Sequence, residues 1–510
     1  MRIIGTETEF GITSEVQPNP IMSSALFVQA YAADGSAARG AIRWDYRGED
    51  PLRDARGFSM DRAAAHPSQL TDEPLDVEEV ARPSDAELNL PRPANTVLTN
   101  GARLYVDHAH PEYSSPEAAG VVEAALYDRA GEYIAREAIS VAASNDALGV
   151  YKNNVDGKGA SYGSHENYLV RRDADLDDLV GLLIPFFVTR QILCGAGRVG
   201  IGPEGQRPGF QISQRADYIE NDIGLETTFN RPIVNTRDEP HASSTWRRLH
   251  VIIGDANQFD VSNLLKLGTT SLVLWLAENL GSPLEADGLR LADPVDAVSQ
   301  VSHDPSLTTR LDLKAGGSMT PIEIQRGYYQ MCREAKEAAG ELTEEDELIF
   351  SWWDKILTLL ATDIDSAAPY VEWVGKKVLL EQMAARGGLD YSSTKLKALD
   401  LQWHDVRVGK NLVERLARAG RVHRLFSDAE IARAATEAPK HTRAYLRGNM
   451  IAHHAERVVG AGWTSLVLDL GREDLLRVTM MDPGAMTADE LGDISNFNHL
   501  TDILQGVTDA

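Results

Sequence analysis

Apolar and polar residues alternate along six short stretches of the chain, and apolar residues recur at helical spacing along several longer ones. Alternation with a period of two is typical of strands that bury one face, and it predicts strands at 2–12, 102–110, 162–171, 209–216, 246–254 and 463–470. Helical spacing predicts helices at 115–144, 176–194, 263–280 and 412–419, a mainly helical stretch at 321–386, and mixed helix and turn at 428–448. No internal repeat is visible. The pattern therefore predicts the α+β class, an antiparallel β-sheet packed with helices.

The stretch 31–93 interrupts this pattern. It is rich in Gly, Pro, Ala and charged residues, and it contains an acidic run at Asp72, Glu73, Asp76, Glu78 and Glu79. Long aperiodic connections inside a domain are usually functional or mobile. We interpret its centre, about residues 41–80, as an insertion, with a solvated loop without chemistry as the open alternative. A glycine-rich stretch at 195–205 matches no phosphate-binding fingerprint and is expected to be a loop or a lid.

The composition is that of a globular protein. The 510 residues are 43% hydrophobic and 25% charged, and 50 Lys+Arg against 76 Asp+Glu give a formal net charge of −26. Such an acidic average disfavours a general nucleic-acid binder, whose phosphate contacts need a basic surface. Two cysteines exclude a disulfide scaffold. The first residues show no long apolar segment, and the apolar stretch 267–277 is too short to span a bilayer. We expect a cytoplasmic protein with no membrane or nucleic-acid partner.

Two carboxylates lie on the first predicted strand. Glu7 and Glu9 are two residues apart, so alternation places both on one face, opposite Thr6, Thr8 and Phe10. Adjacent carboxylates on a sheet face are costly unless a cation, donors or water compensates them, and a hard cation such as Mg²⁺ prefers oxygen ligands. From this pair alone, a solvent-facing strand with two ordinary acids is the favoured interpretation.

The second strand adds a basic, a phenolic and an acidic side chain to one face: Arg103, Tyr105 and Asp107. Arginine can bind phosphate oxygens through two N–H groups, and an aspartate can act as a base or a nucleophile. The following His-Ala-His could suggest zinc, but no cysteine or further histidine lies at ligand spacing. This face therefore suits a site for a phosphate and a metal ion.

Two further strands offer paired polar residues. His165 and Asn167 share one face of the strand at 162–171, and Arg248 and His250 share one face of the strand at 246–254. A single histidine is more often structural than a ligand, but four strands with such pairs favour one shared active-site face over four unrelated surfaces. The sequence has no GxxxxGK[ST] loop, no GxSxG turn and no evident Cys–His pairing.

Seven motifs, in this order, resemble one known family. They are GTETEFGI, NGARLYVDHAHPEYSSPE, YGSHENYL, FQISQRAD, RRLHVIIGDAN, LDLQWHDV and HTRAYLRG. Together they resemble the Pup ligase and Pup deamidase/depupylase family, which is related to glutamine synthetase and glutamate–cysteine ligase. Pup is the prokaryotic ubiquitin-like protein of actinobacteria. The resemblance implies a glutamine-synthetase-like antiparallel sheet cradle in a catalytic domain at 1–435, and we expect a small C-terminal domain at 436–510.

The two branches of this family have opposite activities. Ligases join the C-terminal glutamate of Pup to substrate lysines with ATP, whereas the other branch deamidates the C-terminal glutamine of Pup and cleaves Pup from lysines. Here the chain reads Asp-His-Ala-His-Pro-Glu from Asp107, whereas ligases carry one extra residue and Gly-Ser before the second histidine. The 41–80 insertion also resembles a loop that is much shorter in ligases. Both features favour the deamidase/depupylase branch, with a Pup–protein ligase as the alternative.

The resemblance also implies roles for single residues. Asp107 corresponds to the catalytic aspartate. Mg²⁺ that bridges the phosphates of ATP, or of ADP plus phosphate, is expected on Glu7, Glu9, Tyr105, Glu112, His165 and His250. ATP contacts are expected from Arg103, Ser115, Asn167, Arg248 and Trp463. Arg443 and Arg447 are further candidates for phosphate or carboxylate contacts.

The expected reaction is hydrolysis of an amide on the last side chain of Pup, with Asp107 attacking directly or acting as a base for water. The expected partners are Pup and pupylated proteins, with a functional link to the bacterial proteasome, and we expect a monomer. Pup itself is expected to be disordered and acidic, so its groove needs basic residues. Candidates for that groove are Arg198, Arg207, Arg215 and Arg231. Two alternatives from other classes are a Pup-binding scaffold with a dead site and a small-molecule amide ligase.

Overall fold

The computed structural model describes residues 1–35, 42–61, 65, 94–142, 148–472 and 474–496. The strands in these ranges are β1 Ile3–Glu9, β2 Gly11–Ser14, β3 Arg43–Trp44, β4 Asn95–Val97, β5 Arg103–Asp107, β6 His110–Ser114, β7 Ala118–Ala119, β8 Leu148–Tyr151, β9 Ser164–Arg171, β10 Arg198–Ile201, β11 Arg207–Gln211, β12 Ile219–Gly224, β13 Arg231–Asn235, β14 Trp246–Val251, β15 Leu311–Asp312, β16 Ser318–Met319, β17 Val458–Ala461, β18 Ser465–Leu468 and β19 Leu476–Thr479. The helices are α1 Pro20–Gly35, α2 Val121–Val141, α3 Leu176–Cys194, α4 Asp260–Leu280, α5 Leu284–Asp287, α6 Pro294–His303, α7 Pro321–Ala339, α8 Glu344–Thr362, α9 Glu372–Gly387, α10 Thr394–Trp403, α11 Leu412–Arg418, α12 Asp428–Thr436, α13 Ala444–His453 and α14 Ala488–Leu491.

A seven-stranded sheet forms the centre of the fold. Its order is β14-β9-β1-β6-β5-β4, and β7 also pairs with β1. Every pairing in this sheet is antiparallel. Strands from four distant parts of the sequence therefore become neighbours, and the predicted α+β fold with an antiparallel sheet is confirmed.

Helices cover one face of this sheet. Ile4, Leu104 and Tyr113 are buried in the main apolar core together with residues of α2, α3 and α4. Helix α3 has the bounds that the apolar spacing predicts. Helix α4 is buried along most of its length, because its apolar residues pack into the main core. Within the described residues, no helix combines the length and the apolar character that a membrane crossing requires.

A second, four-stranded sheet has the order β19-β18-β17-β3. Its core, separate from the main one, contains Leu446, Met450, Leu466 and Leu468. Strand β3 belongs to the predicted insertion at 41–80, and it runs parallel to β17 with Arg43 opposite Gly460. The described first half of the insertion, residues 42–61, thus contributes one short strand, Arg43–Trp44, to the terminal sheet. The acidic run from Asp72 to Glu79 lies outside the described residues, and the domain boundary at 435/436 stays a prediction.

The glycine-rich stretch at 195–205 differs from the expected loop. Residues Arg198–Ile201 form β10 and pair antiparallel with β11. Gly200 has a φ of 95°, and a Cβ there would lie 2.7 Å from the carbonyl oxygen of Gly205. The loop prediction is wrong for the residues of β10, because glycine also serves hairpins whose two strands approach closely.

Several predicted boundaries shift, among them the end of the strand expected at 209–216, which stops at Gln211, and two of the shifts have a clear cause. The strand expected at 2–12 divides at Phe10 into β1 and β2, which pair with different partners. The helix expected from residue 115 begins at Val121, because the preceding β7 pairs with β1 and places Ala119 opposite Ile3. In both places a pairing with a distant strand overrides the local pattern.

Candidate active site

Three rows of polar side chains cross the central sheet on the face that carries Glu7. The first row runs through His165, Glu7, Ser114 and Arg103. The second row holds Glu9, Glu112 and Tyr105. The third places His250 opposite Asn167. The register therefore gathers all six residues predicted to bind metal on one face of five neighbouring strands.

The first cluster consists of Glu7, His165 and His250, and each offers a ligand atom within 4.8 Å of the others. His165 Nδ1 lies 3.0 Å from Glu7 Oε2, and Asn167 donates to Glu7 Oε1 at 2.9 Å. Burial alone would raise the pKa of Glu7, but the hydrogen bond with His165 and the positive charge of Arg248 hold it well below its ordinary value. Glu7 is therefore ionised and able to bind a cation.

His250 provides a test of whether a metal ion fits this cluster. Its Nδ1 lies 3.0 Å from Asn167 Oδ1, an acceptor that fixes the ring proton on Nδ1. Its buried Nε2 has no hydrogen-bond partner among the described residues. Burial, with the charge of Arg248, lowers the pKa of His250 well below its ordinary value. A neutral imidazole with an unused lone pair next to a carboxylate is a donor set that fits a divalent metal.

Glu9, Asp107 and Glu112 form a second cluster, in which one carboxylate oxygen from each lies within 4.8 Å of the others. The Gly163 N–H donates to Glu9 Oε1 at 2.8 Å. Burial, followed by repulsion from neighbouring carboxylates with Asp107 first, raises the pKa of Glu112 well above its ordinary value. A divalent cation between these carboxylates would remove the repulsion, so this oxygen set fits Mg²⁺. Tyr105 lies opposite Glu112, and burial raises the pKa of its phenol, which stays protonated.

Asp107 is the accessible member of the second cluster. It ends β5 with 36% of its side chain exposed, whereas Glu9 and Glu112 are buried. The next residue, His108, adopts a left-handed turn conformation with a φ of 51°, and its Nδ1 lies 2.9 Å from Asp107 Oδ2. The structure thus places the predicted catalytic carboxylate where a substrate can reach it. In the sequence, His108 stands out only as part of the His-Ala-His considered for zinc, and not as a partner of Asp107.

A solvent-open cleft of about 570 Å³ lies beside the first cluster. The polar part of its lining includes Glu7, Ser115, Asn167 and Arg248. The apolar part includes Ile3, Leu169, Pro240, Trp463 and Pro483. A cleft lined by both polar groups and apolar walls suits a ligand that combines a flat ring with an anionic group. Four of the five predicted nucleotide contacts line it.

The fifth predicted contact, Arg103, is not in this lining. Its guanidinium carbon lies 4.1 Å from the ring centre of Trp44 and 3.8 Å from that of Tyr105. Trp44 in turn packs edge-on against Trp463 at 5.0 Å, which connects Arg103 to the wall of the cleft.

The cleft also contains two residues that are not among the predicted site residues, Glu117 and His241. Glu117 lines it, accepts a hydrogen bond from Arg443 Nε at 2.8 Å, and binds Arg447. Burial would raise the pKa of Glu117, but the two guanidinium groups lower it to about 2. The predicted phosphate contacts Arg443 and Arg447 are therefore paired with a carboxylate of the protein. Glu117 is the last residue of the motif NGARLYVDHAHPEYSSPE, so the sequence offers a signal for it as a site residue. Nothing in the sequence marks His241, which also lines the cleft.

Three of the four arginines considered for a partner groove have structural contacts. Arg198, Arg215 and Arg231 are buried, and each donates to a main-chain carbonyl oxygen. Arg207 is exposed at the start of β11. These contacts favour a role in folding for the three buried arginines.

A comparison with protein families identifies the family of this chain. Residues 2–467 match the model of the Pup-ligase protein family. The match covers more than nine-tenths of the chain, and the chain belongs to this family.

Proteins named for either activity of the family are similar to this chain. A depupylase from Acidothermus cellulolyticus is 45% identical over 503 residues, which cover 97% of this chain and 96% of that protein. A Pup deamidase/depupylase from Mycolicibacterium smegmatis is 45% identical over 489 residues, 94% of each protein. A Pup–protein ligase from Sanguibacter keddieii is 37% identical over 390 residues, 74% of this chain and 85% of the ligase.

Two solved structures share the fold. The crystal structure of the complex between Pup and its ligase PafA has a TM-score of 0.76 and 29% identity, and the match covers 99% of this chain and 92% of that one. The structure of PafA in complex with ADP has a TM-score of 0.70 and 33% identity, with 82% of this chain and 91% of that one covered. The predicted ligase-like fold is confirmed.

Proposed function

We propose that this protein hydrolyses amide bonds on the last side chain of Pup. It deamidates a C-terminal glutamine, and it cleaves the isopeptide bond between Pup and a substrate lysine. The observation that carries this proposal is the 45% identity to a depupylase over 97% of the chain, against 37% identity to a ligase over 74%.

The turn beside Asp107 supports the same branch of the family. Asp107 pairs with His110 across the hairpin, so only His108 and Ala109 form the turn. An additional residue, as ligases carry there, would lengthen this turn and change how the chain leaves the catalytic aspartate. The insertion supports it too, since residues 42–61 contact both the terminal sheet and the catalytic strand.

We propose ATP, or ADP plus phosphate, and Mg²⁺ as cofactors. The cleft beside Glu7 would take the nucleotide, with Ser115, Asn167, Arg248 and Trp463 in contact with it. The two clusters would hold Mg²⁺ through Glu7, His165 and His250 and through Glu9 and Glu112, with the neutral phenol of Tyr105 alongside. The solved complex of PafA with ADP supports a nucleotide site in this fold. Amide hydrolysis is downhill, so the nucleotide acts as a cofactor and not as stoichiometric fuel.

Asp107 is the reacting carboxylate of the proposed mechanism. In one route it attacks the side-chain carbonyl carbon, releases ammonia or the lysine amine, and forms an anhydride that water then cleaves. In the other it removes a proton from a water molecule that attacks the same carbon. Mg²⁺, when bound, supplies positive charge that polarises the amide carbonyl. Both routes need an accessible, ionised carboxylate at the open side of the second cluster, where Asp107 lies.

Replacing Asp107 with asparagine tests this assignment. We expect Asp107→Asn to lower kcat for deamidation and for depupylation by at least about 10³-fold, because either route loses its carboxylate. ATP affinity should stay within about two-fold, since Asp107 is not in the cleft lining. Ammonia release from glutamine-ended Pup and Pup release from a conjugate measure the two activities. Asp173→Asn is the matched control, because the Asp173 side chain is 72% exposed and distant from the site.

Near-wild-type turnover by Asp107→Asn would contradict the catalytic assignment. The branch of the family is tested separately with the wild-type protein and two forms of Pup. Conjugate formation from glutamate-ended Pup, without ammonia release from glutamine-ended Pup, would identify a ligase instead. Turnover of free glutamate plus an amine without Pup would identify a small-molecule ligase, and binding of Pup without any turnover would identify a scaffold.

We propose further that the protein works as a monomer in the cytoplasm on Pup and pupylated proteins, and that this links it to the bacterial proteasome. The support is the resemblance of its motifs to the family, together with the solved complex of a family member with Pup. Size-exclusion chromatography with light scattering tests the oligomeric state.

A further inference from the structure

The described part of the insertion, residues 42–61, connects three parts of the fold, and we call it the insertion strap. Its first residues pair with β17, and the Asp45 carboxylate binds Ser465 and Arg477 of the terminal sheet. Its later residues bind the chain after β13. There Ala55 N–H donates to Thr236 O at 2.8 Å, and Arg53 O accepts from Asp238 N–H at 2.8 Å. These contacts fix the strap beside the catalytic strand β5.

The strap surrounds the guanidinium of Arg103 with aromatic groups. The Arg103 carbon Cζ lies 4.1 Å from the Trp44 ring centre and 3.8 Å from that of Tyr105. At such distances both rings lie in cation–π contact with the guanidinium. The Tyr46 ring lies 5.6 Å away. Stacking on aromatic faces fixes an arginine while its N–H edge stays available.

Two neutral oxygens hold part of this edge. Arg103 Nε donates to Asn95 Oδ1 at 3.3 Å, and Nη2 donates to the Tyr46 hydroxyl at 3.3 Å. Among the described residues, Arg103 has no carboxylate within ion-pair distance, although it is 7% exposed. Arg190, by contrast, is paired with Glu166, whereas the buried Arg198, Arg215 and Arg231 donate to main-chain carbonyl oxygens. The direct partners of this oriented, nearly buried guanidinium are neutral, and the Glu49 carboxylate acts on it only from beyond ion-pair distance, so its N–H edge is suited to an anion from outside the chain.

Glu49 supports this arrangement from the strap. It accepts a hydrogen bond from Trp44 Nε1 at 2.9 Å and thereby fixes the indole that stacks on Arg103. Burial raises the pKa of the Glu49 carboxyl, and the positive charges of Arg103 and Arg248 oppose that rise.

We infer that Trp44 and Tyr46, with Glu49 holding Trp44, are positioning residues that orient Arg103 toward an anionic oxygen of the bound nucleotide. This inference rests on the proposed nucleotide binding. In this arrangement the first half of the insertion forms a fixed wall of the nucleotide site.

Nucleotide affinity of strap variants tests the inference. We expect Trp44→Leu to raise the Kd for ATP in the presence of Mg²⁺ about ten-fold, because a desolvated cation–π contact is lost. Tyr46→Phe should raise it about three-fold through the loss of one hydroxyl, and Trp44→Phe should recover part of the Trp44→Leu loss. The KM for ATP should rise in parallel while the KM for Pup stays unchanged. Titration calorimetry and steady-state kinetics give these values. Phe58→Leu is the matched control, because Phe58 lies on the strap, is half exposed and stacks on Arg56 instead.

A double-mutant cycle shows whether Trp44 acts through Arg103. In an Arg103→Met background, Trp44→Leu should no longer change the Kd for ATP, since the group that it positions is absent. An undiminished Trp44→Leu effect in that background would overturn the inference, as would wild-type ATP affinity in folded Trp44→Leu and Tyr46→Phe variants. If Trp44→Leu does not fold, Tyr46→Phe and Glu49→Gln decide the question by the same Kd measurement. Failure of the wild-type protein to bind ATP would instead refute the proposed function.

Discussion

Glu112 occupies a position that disfavours a carboxylate when no cation is present. It is 2% exposed, and burial together with the charges of Asp107, Glu7 and Glu9 raises its pKa well above the ordinary value. Glu112 therefore lowers the free energy of unfolding of the metal-free protein, and binding of a divalent ion removes this destabilisation. A site of this kind couples metal binding to the stability of the central sheet.

Glu112→Gln tests this coupling. It keeps the shape of the side chain and removes its charge, so we expect the Tm of the metal-free protein to rise by about 2 °C or more. The increase in Tm on addition of Mg²⁺ should shrink, because one ligand is weaker. Thermal unfolding with EDTA and with Mg²⁺ measures both effects. Glu137→Gln on the exposed side of α2 is the control, and an unchanged Mg²⁺ response in Glu112→Gln would argue against a metal at the second cluster.

At the scale of elements, one carboxylate joins the terminal helix α13 to the central sheet. Glu117 follows β6 and binds Arg443 and Arg447, which lie at the start of α13 and within it. Arg447 also donates to Gly101 O at 2.8 Å and lies over the ring of Trp463 at 5.0 Å. The position of Trp463 in the cleft thus depends on this contact between two elements.

Glu117→Gln should lower the free energy of unfolding by about 3 kcal/mol at pH 7, since it leaves two buried guanidinium groups without their carboxylate. The pKa of Glu117 in the folded protein is about 2, below the ordinary value of 4.5. Its stabilisation is therefore complete above about pH 4.5 and is lost as the pH falls toward 2, so the difference between wild type and variant should shrink below about pH 4.5. Urea unfolding between pH 7 and pH 3 measures this, with the exposed Glu456→Gln as control. A difference that does not depend on pH would contradict the ion-pair explanation.

At the scale of the whole molecule, the insertion strap decides how the terminal sheet, the catalytic strand and the chain after β13 are held together. Replacing residues 47–61 by a Gly/Ser linker of equal length removes Glu49 and the contacts of Arg53 and Ala55, but keeps chain length constant. We expect a lower Tm and a Kd for ATP at least about five-fold higher, because Trp44 loses its support. Calorimetry measures both. Unchanged kinetics and stability would show that the insertion is a solvated loop without chemistry.

The sequence predicts much of the fold and most of the site. Helix α3 and the strands around Glu7, Asp107, His165 and His250 follow from local periodicity, since one face of each element packs on the core. The strand β10 does not, because its glycines also suit a loop and local pattern does not separate the two. The late start of α2 does not either, because the stretch before it pairs with the distant strand β1. The pairing of Arg443 and Arg447 with Glu117 escapes prediction for the same reason, since those partners are more than 300 residues apart.

The sequence by itself determines which side chains share a face on each strand, because alternation is a property of the backbone, and its motifs identify the family. Only the tertiary structure decides which strands are neighbours. It therefore decides that Glu7 meets His165 and His250, that Asp107 meets Glu9 and Glu112, and that Trp44 stacks on Arg103. The physical reason is that burial and charge at a site depend on every element packed around it, and no local stretch of sequence contains that information.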